Sequence, residues 1–255
     1  MAWTSAPPAA AKCLVKSTES IMNKSLGTIK SLVPRSWLGK VQYRLTPSKL
    51  DGFGVFNDQC FRQIIFFDLN YACRFEAFVE TGTFVGCTTA FMARNVSAPV
   101  YTAEIDPRNF EFAKRRLGGI PNVHIVRADS TDFLASLPLA PTTRTFFYLD
   151  AHWFDYLPLA NEAELIFSKF RHFVVMVDDF AVPGDEGYAY DDYGPGKQLS
   201  LRDFQFHKDP RLAIYFPQRS SSRESGLRRG CIVIASLTMC SFLDGLDCLV
   251  RMKLA

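Results

Sequence analysis

Between residues 75 and 177 the chain repeats one pattern: a short, almost continuous apolar run, then a stretch with apolar residues at helical spacing. The runs are Phe75–Val79, Pro99–Ala103, Val123–Val126, Thr145–Leu149 and Phe173–Val177. Runs this short, with no polar residue at every second position, belong to strands covered on both faces. Strands that alternate with helices join into parallel sheets through right-handed crossovers. The pattern predicts an α/β fold with a doubly wound sheet. A helix is expected over Phe84–Asn95, and a second opens with Asp106 as N-cap and Pro107 at the first helical position, running to Leu117 with Phe110, Ala113 and Leu117 as its buried stripe. Leu159, Ala163, Ile166, Phe167 and Phe170 mark the helix before the last run, and Phe61, Ile64, Ile65 and Leu69 mark one over Asn57–Cys73. Leu212–Phe216 and Cys231–Ala235 are joined by a polar loop with no helix, so they are expected to pair antiparallel at one edge of a mostly parallel sheet.

At roughly 100–200 residues per domain, 255 residues allow one domain with extensions. With 48% hydrophobic and 22% charged residues the chain can bury a sizeable core, which excludes disorder, collagen and a coiled coil as its main state; the 23 Phe predict an aromatic core. The division expected is a basic, partly helical arm over residues 1–50, the α/β domain over 51–236 and a C-terminal extension over 237–255. The arm holds eight of the 29 Lys and Arg but only one of the 26 acids, Glu19, leaving the body net negative. That balance speaks against specific nucleic-acid binding by the body and leaves contact of the arm with an anionic surface open. Leu14, Ile21, Ile29 and Leu32 suggest a weakly amphipathic helix ending before Pro34. The seven Cys, at positions 13, 60, 73, 87, 231, 240 and 248, form no CxxC pair, and a scattered odd set reads as free thiols in a reducing, cytoplasmic compartment. The longest apolar stretch, Cys231–Met252, is broken by Asp244, Asp247 and Arg251, so no membrane span is expected.

The end of the first run reads Glu80-Thr81-Gly82-Thr83-Phe84-Val85-Gly86-Cys87-Thr88. Glycine in such a turn permits positive φ and lets backbone approach a ligand lying across the strand tip. Glu104 ends the next run, where a carboxylate can accept both hydroxyls of a ribose. A nucleoside-containing cofactor is implied, the alternative being a plain Gly turn and an ordinary surface Glu in a cofactor-free α/β domain. An acid at Glu80 would repel a pyrophosphate, which disfavours NAD, and it suits a cofactor with a cationic amino-acid part. On these residues the chain resembles the class I S-adenosylmethionine-dependent methyltransferases, whose first motif, ExGTxxGxT, is matched by Glu80, Gly82, Thr83, Gly86 and Thr88. The resemblance implies a Rossmann-like sheet, a ribose held by Glu104, and an adenine flanked by Asp129 and Ser130.

The fourth and fifth runs end in Asp150-Ala151-His152-Trp153 and Asp178-Asp179-Phe180. On adjacent parallel strands these acids converge, and converging carboxylates repel unless a hard cation such as Mg²⁺ sits between them; otherwise they are solvated loop acids or helix caps. Tyr148-Leu149-Asp150 to Tyr156-Leu157-Pro158, and Val177-Asp178-Asp179 to Val182-Pro183-Gly184, are similar to the metal-dependent catechol-type O-methyltransferases. That resemblance implies Asp150, Asp178 and Asp179 as metal ligands. The lysine those enzymes carry after the first metal acid has no counterpart, and His152 is the nearest residue able to act as a base near neutral pH. The Gly184–Gly196 loop, with Tyr188, Tyr190, Asp191, Asp192 and Tyr193, suits a small hydroxylated acceptor, sugar-like or phenolic, or is a plain surface loop; Arg219, Arg223, Arg228 and Arg229 read as a solvated hairpin or an anion contact. Methyl transfer to an acceptor oxygen is the function expected. Two other classes stay open: a non-catalytic cofactor-binding module and an NAD-type oxidoreductase. The sequence leaves the oligomeric state open.

Overall fold

The computed structural model describes residues 34–45, 54–153 and 156–253, so the helix expected between Leu14 and Leu32 lies outside the described residues. Along the chain the elements are α1 (Arg35–Leu45), α2 (Cys60–Cys73), β1 (Ala77–Thr81), α3 (Cys87–Asn95), β2 (Val100–Ala103), α4 (Pro107–Leu117), β3 (Val123–Val126), α5 (Ser130–Ser136), β4 (Thr145–Leu149), α6 (Leu159–Lys169), β5 (Phe173–Asp178), β6 (Leu212–Pro217), β7 (Cys231–Ser236), α7 (Cys240–Leu243) and β8 (Leu249–Arg251). The eight strands form one sheet in the order β3-β2-β1-β4-β5-β7-β6-β8. The first five run parallel, and β7 enters antiparallel between β5 and β6. The expected antiparallel pair is present, but the edge is closed by β8, paired to β6, from the stretch expected to be an extension.

β1, β4, β5 and β7 are buried along their whole length, as their unbroken apolar sequences require, whereas the outer strand β3 alternates half-buried and exposed. Successive side chains serve opposite faces. Phe78, Phe146, Tyr148, Val174 and Met176 join Phe56, Ile65, Phe66 and Leu69 on one face; Val79, Phe147, Leu149, Val175 and Val177 meet Phe133, Leu159 and Ile166 on the other. The first face is the expected aromatic core: Phe56 meets Tyr148 edge-on at 5.1 Å between centroids, and Phe66 meets Phe146 at 5.7 Å.

Asp106 and Pro107 open α4 as expected, the Asp106 carboxylate accepting from the Arg108 and Asn109 amides. Its buried residues are Phe112, Ala113 and Leu117; Phe110 is only partly buried, carrying the Lys114 ammonium 5.7 Å from its ring centre. Phe112 is buried because α1 lies on α4 and sets Tyr43 edge-on against it, 5.2 Å away. α1 begins directly after Pro34 and has a weak apolar pattern, so tertiary contacts sustain it: Arg35 pairs with Asp106, and Lys40 with Glu111 at 3.7 Å. The six described cysteines are free thiols. No described helix is long and apolar enough to cross a membrane.

Candidate active site at the strand tips

Strand order reverses between β1 and β4, and the crevice at the carboxyl ends of strands flanking such a point is where α/β sheets bind ligands. Glu80 arrives there buried, its Oε2 accepting from the Thr102 hydroxyl at 2.7 Å and from the Thr89 hydroxyl, while the Thr83 and Thr102 hydroxyls share a 2.6 Å hydrogen bond. Burial pushes its carboxyl up to about 7 against the pull of those hydroxyls. Gly82 has φ +82°, and Gly86, φ +80°, caps α3, so the expected helix over Phe84–Asn95 starts three residues late, at Cys87. Glu104 ends β2 facing this turn: Oε2 accepts the Phe84 amide at 2.7 Å and Oε1 the Asp106 amide at 2.8 Å. Burial carries Glu104 to about 7 as well, the two amides opposing. Glu80, Gly82, Thr83, Gly86 and Glu104 thus surround one turn. Asp129 and Ser130 lie at the tip of β3, where Asp129 caps α5 through the Thr131 amide at 2.8 Å and accepts from the Tyr156 hydroxyl, which also lies 3.3 Å from Ser130 Oγ.

Sequence reasoning passed over Glu162, on the first turn of α6. It is 1% exposed, and burial raises its carboxyl to about 7 against the nearby hydroxyls of Ser130 and Thr81. An acid whose folded pKa lies above its unfolded value of 4.5 holds its proton more tightly in the folded state. Its contribution is therefore complete below about pH 4.5 and is lost as pH rises through about 7. Glu162→Gln should leave stability at pH 5 nearly unchanged and add roughly 1–3 kcal/mol at pH 8, read from urea denaturation at both values.

The acids at the tips of β4 and β5 do not behave alike. Leu149 pairs with Val177, so Asp150 and Asp178 are neighbours as expected. Asp178 continues the face of Val174 and Met176 into the aromatic core, where it is ion-paired with the buried Arg62 guanidinium of α2 and accepts from Tyr148 Oη at 2.5 Å and Asn57 Nδ2 at 2.9 Å. Burial alone would raise its pKa; Arg62 and Tyr148 hold it below the usual range. Asp178 thus spends its oxygens on partners from the core side, although its charge still raises the pKa of both Asp150 and Asp179. Those two gather round His152 with a fourth acid, Asp191: His152 Nε2 lies 3.9 Å from Asp150 Oδ1, 4.0 Å from Asp179 Oδ2 and 3.9 Å from Asp191 Oδ2. One ligand atom each from Asp150, His152 and Asp179 lie within 4.8 Å of one another. Burial and the neighbouring carboxylates push Asp150 well up, and Asp179 to about 7 although Arg229 opposes.

Asp179 sits at φ +54°, a conformation Asp tolerates better than most residues. Arg229 donates Nε to its Oδ1 at 2.6 Å and a terminal amine to Asp191 Oδ1. Arg229 therefore belongs to the site, while its neighbour Arg228 is exposed. Asp191 comes from the Gly184–Gly196 loop, tied down where its amide donates to the Asp179 carbonyl at 2.9 Å.

No protein-family model matches the sequence, and no curated protein does. Solved structures do resemble it. An O-methyltransferase from Bacillus cereus in complex with S-adenosylhomocysteine (SAH) is 16% identical, covering 85% of this chain and 97% of its own, with a TM-score of 0.53. Cofactor-bound Rv0187 from MTB is 18% identical over 92% and 99%, with a TM-score of 0.51. The O-methyltransferase TomG from Streptomyces achromogenes, involved in tomaymycin synthesis and solved with S-adenosylmethionine, is 16% identical over 69% and 79%, at 0.50. The chain has the Rossmann-like α/β fold of the class I S-adenosylmethionine-dependent methyltransferases.

Proposed function

We propose that the protein is an S-adenosylmethionine-dependent methyltransferase that acts on a hydroxyl oxygen of a small acceptor, sugar-like or phenolic. The observation that carries this reading is the turn from Gly82 to Gly86 at the topological switch point with the Glu104 carboxylate facing it. Backbone amides of Phe84 and Asp106 fix the Glu104 carboxylate in place, and its remaining acceptor capacity suits the hydroxyls of a ribose. The nucleoside would lie across the turn from Gly82 through Thr83 to Gly86, with Glu80 serving its amino-acid part and Asp129 with Ser130 its base. Bound there, the cofactor would supply an electrophilic methyl group; the chain's work is to align the acceptor oxygen with it and to help that oxygen lose its proton.

The donor set at the tips of β4 and β5 suits a divalent cation, Mg²⁺ or one like it, with oxygens from Asp150 and Asp179. Such an ion would lower the pKa of an acceptor hydroxyl. Asp178, spent on Arg62, is left out of this set. His152 is 5% exposed and turns Nε2 toward three acids, which suits a ligand better than a base reaching into an open cleft.

Calorimetry should show SAH binding and no NAD binding. Glu104→Ala should weaken SAH roughly 10- to 100-fold, the loss expected for charge-assisted hydrogen bonds, while a melting curve confirms the fold. Tight NAD binding without an SAH signal would overturn the reading. Methyl transfer to a panel of phenols and sugars then identifies the acceptor.

A further inference from the structure

We propose that the ion site is completed by His152 and Asp191, with Arg229 as the residue that orients two of its acids, and that this set prefers a first-row transition ion such as Mn²⁺ or Zn²⁺ to Mg²⁺. The inference rests on the reading that a divalent ion is held at the tips of β4 and β5. Its first support is the Arg229 fork. The guanidinium takes the Oδ1 oxygens of both Asp179 and Asp191, and so leaves the Oδ2 of each facing His152 Nε2, at 4.0 and 3.9 Å. Asp150 Oδ1 stands at 3.9 Å from the same nitrogen. Three carboxylate oxygens from three chain segments thus surround one imidazole nitrogen, at separations too long for hydrogen bonds and suited to groups that share an ion.

The second support is construction. Asp191 is buried, its amide is held by the Asp179 carbonyl at 2.9 Å, its carbonyl accepts the Leu199 amide at 2.9 Å, and the Tyr193 hydroxyl donates to its Oδ2. A loop acid fixed at so many points is placed, not merely solvated. The third support is charge: once all three acids are ionised, they and one guanidinium leave two negative charges beside the imidazole, which one divalent ion offsets. Asp178 is left out of the donor count because Arg62 pairs with it within the core. The metal class follows from the nitrogen donor. Mg²⁺ favours oxygen ligands and keeps its waters, whereas imidazole suits first-row transition ions and Zn²⁺. Arg229, bound to two ligands and not to the ion, acts as a positioning residue, and such groups alter metal affinity about 10- to 100-fold.

The test uses the full chain, stripped with a chelator and titrated calorimetrically with the chlorides of Mn²⁺, Zn²⁺ and Mg²⁺, with the Mn²⁺ spin resonance spectrum as a second signal. Mn²⁺ and Zn²⁺ should bind at least about tenfold more tightly than Mg²⁺. His152→Gln and Asp191→Asn should each weaken Mn²⁺ about tenfold or more, and His152→Gln should also narrow the gap to Mg²⁺. Arg229→Lys, which keeps the charge and loses the fork, should weaken Mn²⁺ and broaden its spectrum. Melting curves of each variant separate these effects from misfolding. Equal affinity for Mg²⁺ and Mn²⁺, or a Mn²⁺ affinity unmoved by both His152→Gln and Asp191→Asn, would overturn the assignment. So would the absence of any ion binding, which would also remove the ion from the proposed function; SAH binding measured in chelator would still decide the methyltransferase reading by itself.

Discussion

Arg62→Met should destabilise the protein by roughly 3–5 kcal/mol, the cost expected when one partner of a buried ion pair is removed and the other is stranded. Arg62 is 2% exposed and spends its guanidinium on Asp178, the Arg229 carbonyl and the Gly230 carbonyl, the last at 3.0 Å. It therefore joins α2 to the tip of β5 and the start of β7. Methionine fills much of the volume but leaves the Asp178 carboxylate with neutral donors alone, Tyr148, Asn57 and the Asp179 amide. The double variant Arg62→Met/Asp178→Asn should recover most of the loss, because no buried charge is then left unpaired. The pH dependence has a definite sign. The folded pKa of Asp178 is depressed, so its pairing stabilises the protein above its unfolded pKa of 3.8 and is lost as pH falls through the folded value. The penalty of Arg62→Met should therefore be largest near pH 7 and shrink toward about pH 3, where the acid is largely neutral in the unfolded chain. Urea titrations of the four proteins at both pH values measure this. A penalty unchanged between them would mean that Arg62 acts through packing and its carbonyl bonds alone.

The same residue marks where sequence reading ends. The parallel strands and the acids at their tips were legible because buried parallel strands are continuous apolar runs, and a Gly turn after the first of them suits a ligand at the strand tip. Asp150 and Asp178 were correctly set side by side, since adjacent parallel strands put their ends together. Their different fates depend on a partner from outside the sheet. A single cation within the apolar helix Cys60-Phe61-Arg62-Gln63-Ile64-Ile65 was the available signal, because a guanidinium on such a helix must either point outward or meet a buried acid. Arg229 was hidden for the opposite reason: it is one of four arginines in a polar loop, and spacing cannot tell the one folded onto Asp179 and Asp191 from its exposed neighbour. Asp191 was visible only as part of a polar, aromatic loop, since long-range pairing to the Asp179 carbonyl has no local signature. Boundaries slipped where backbone conformation overrides pattern. Phe56, Asn57 and Asp58 all have positive φ and form a turn before α2, so the helix begins at Cys60 and not at Asn57.

Gly82→Ala should weaken SAH binding and ion binding together, because this glycine is where the two halves of the proposed site touch. Its φ of +82° costs an L residue roughly 1–2 kcal/mol. The added methyl would also collide with the Asp150 carbonyl oxygen, and it would lie 2.7 Å from that carbonyl carbon and 2.9 Å from the Ala151 nitrogen. These are backbone atoms of the neighbouring strand end and cannot swing aside as a side chain can. The tips of β1 and β4 must then part, which moves the nucleoside turn on one side and Asp150 on the other. A loss of roughly 100-fold in SAH affinity, about 2.7 kcal/mol, is expected, with a comparable loss for Mn²⁺. Gly86→Ala is the matched control. Its φ of +80° carries the same conformational cost, but the nearest atom to its added methyl is Leu117 Cδ1 at 3.2 Å, a side-chain carbon able to yield. It should lose similar intrinsic stability and less than about tenfold in SAH affinity, with Mn²⁺ binding intact. Calorimetry on both variants, alongside melting curves, separates the two effects. If Gly82→Ala bound SAH like the wild type, the cofactor would have to lie away from this turn, and the placement of ribose against Glu104 would fall with it.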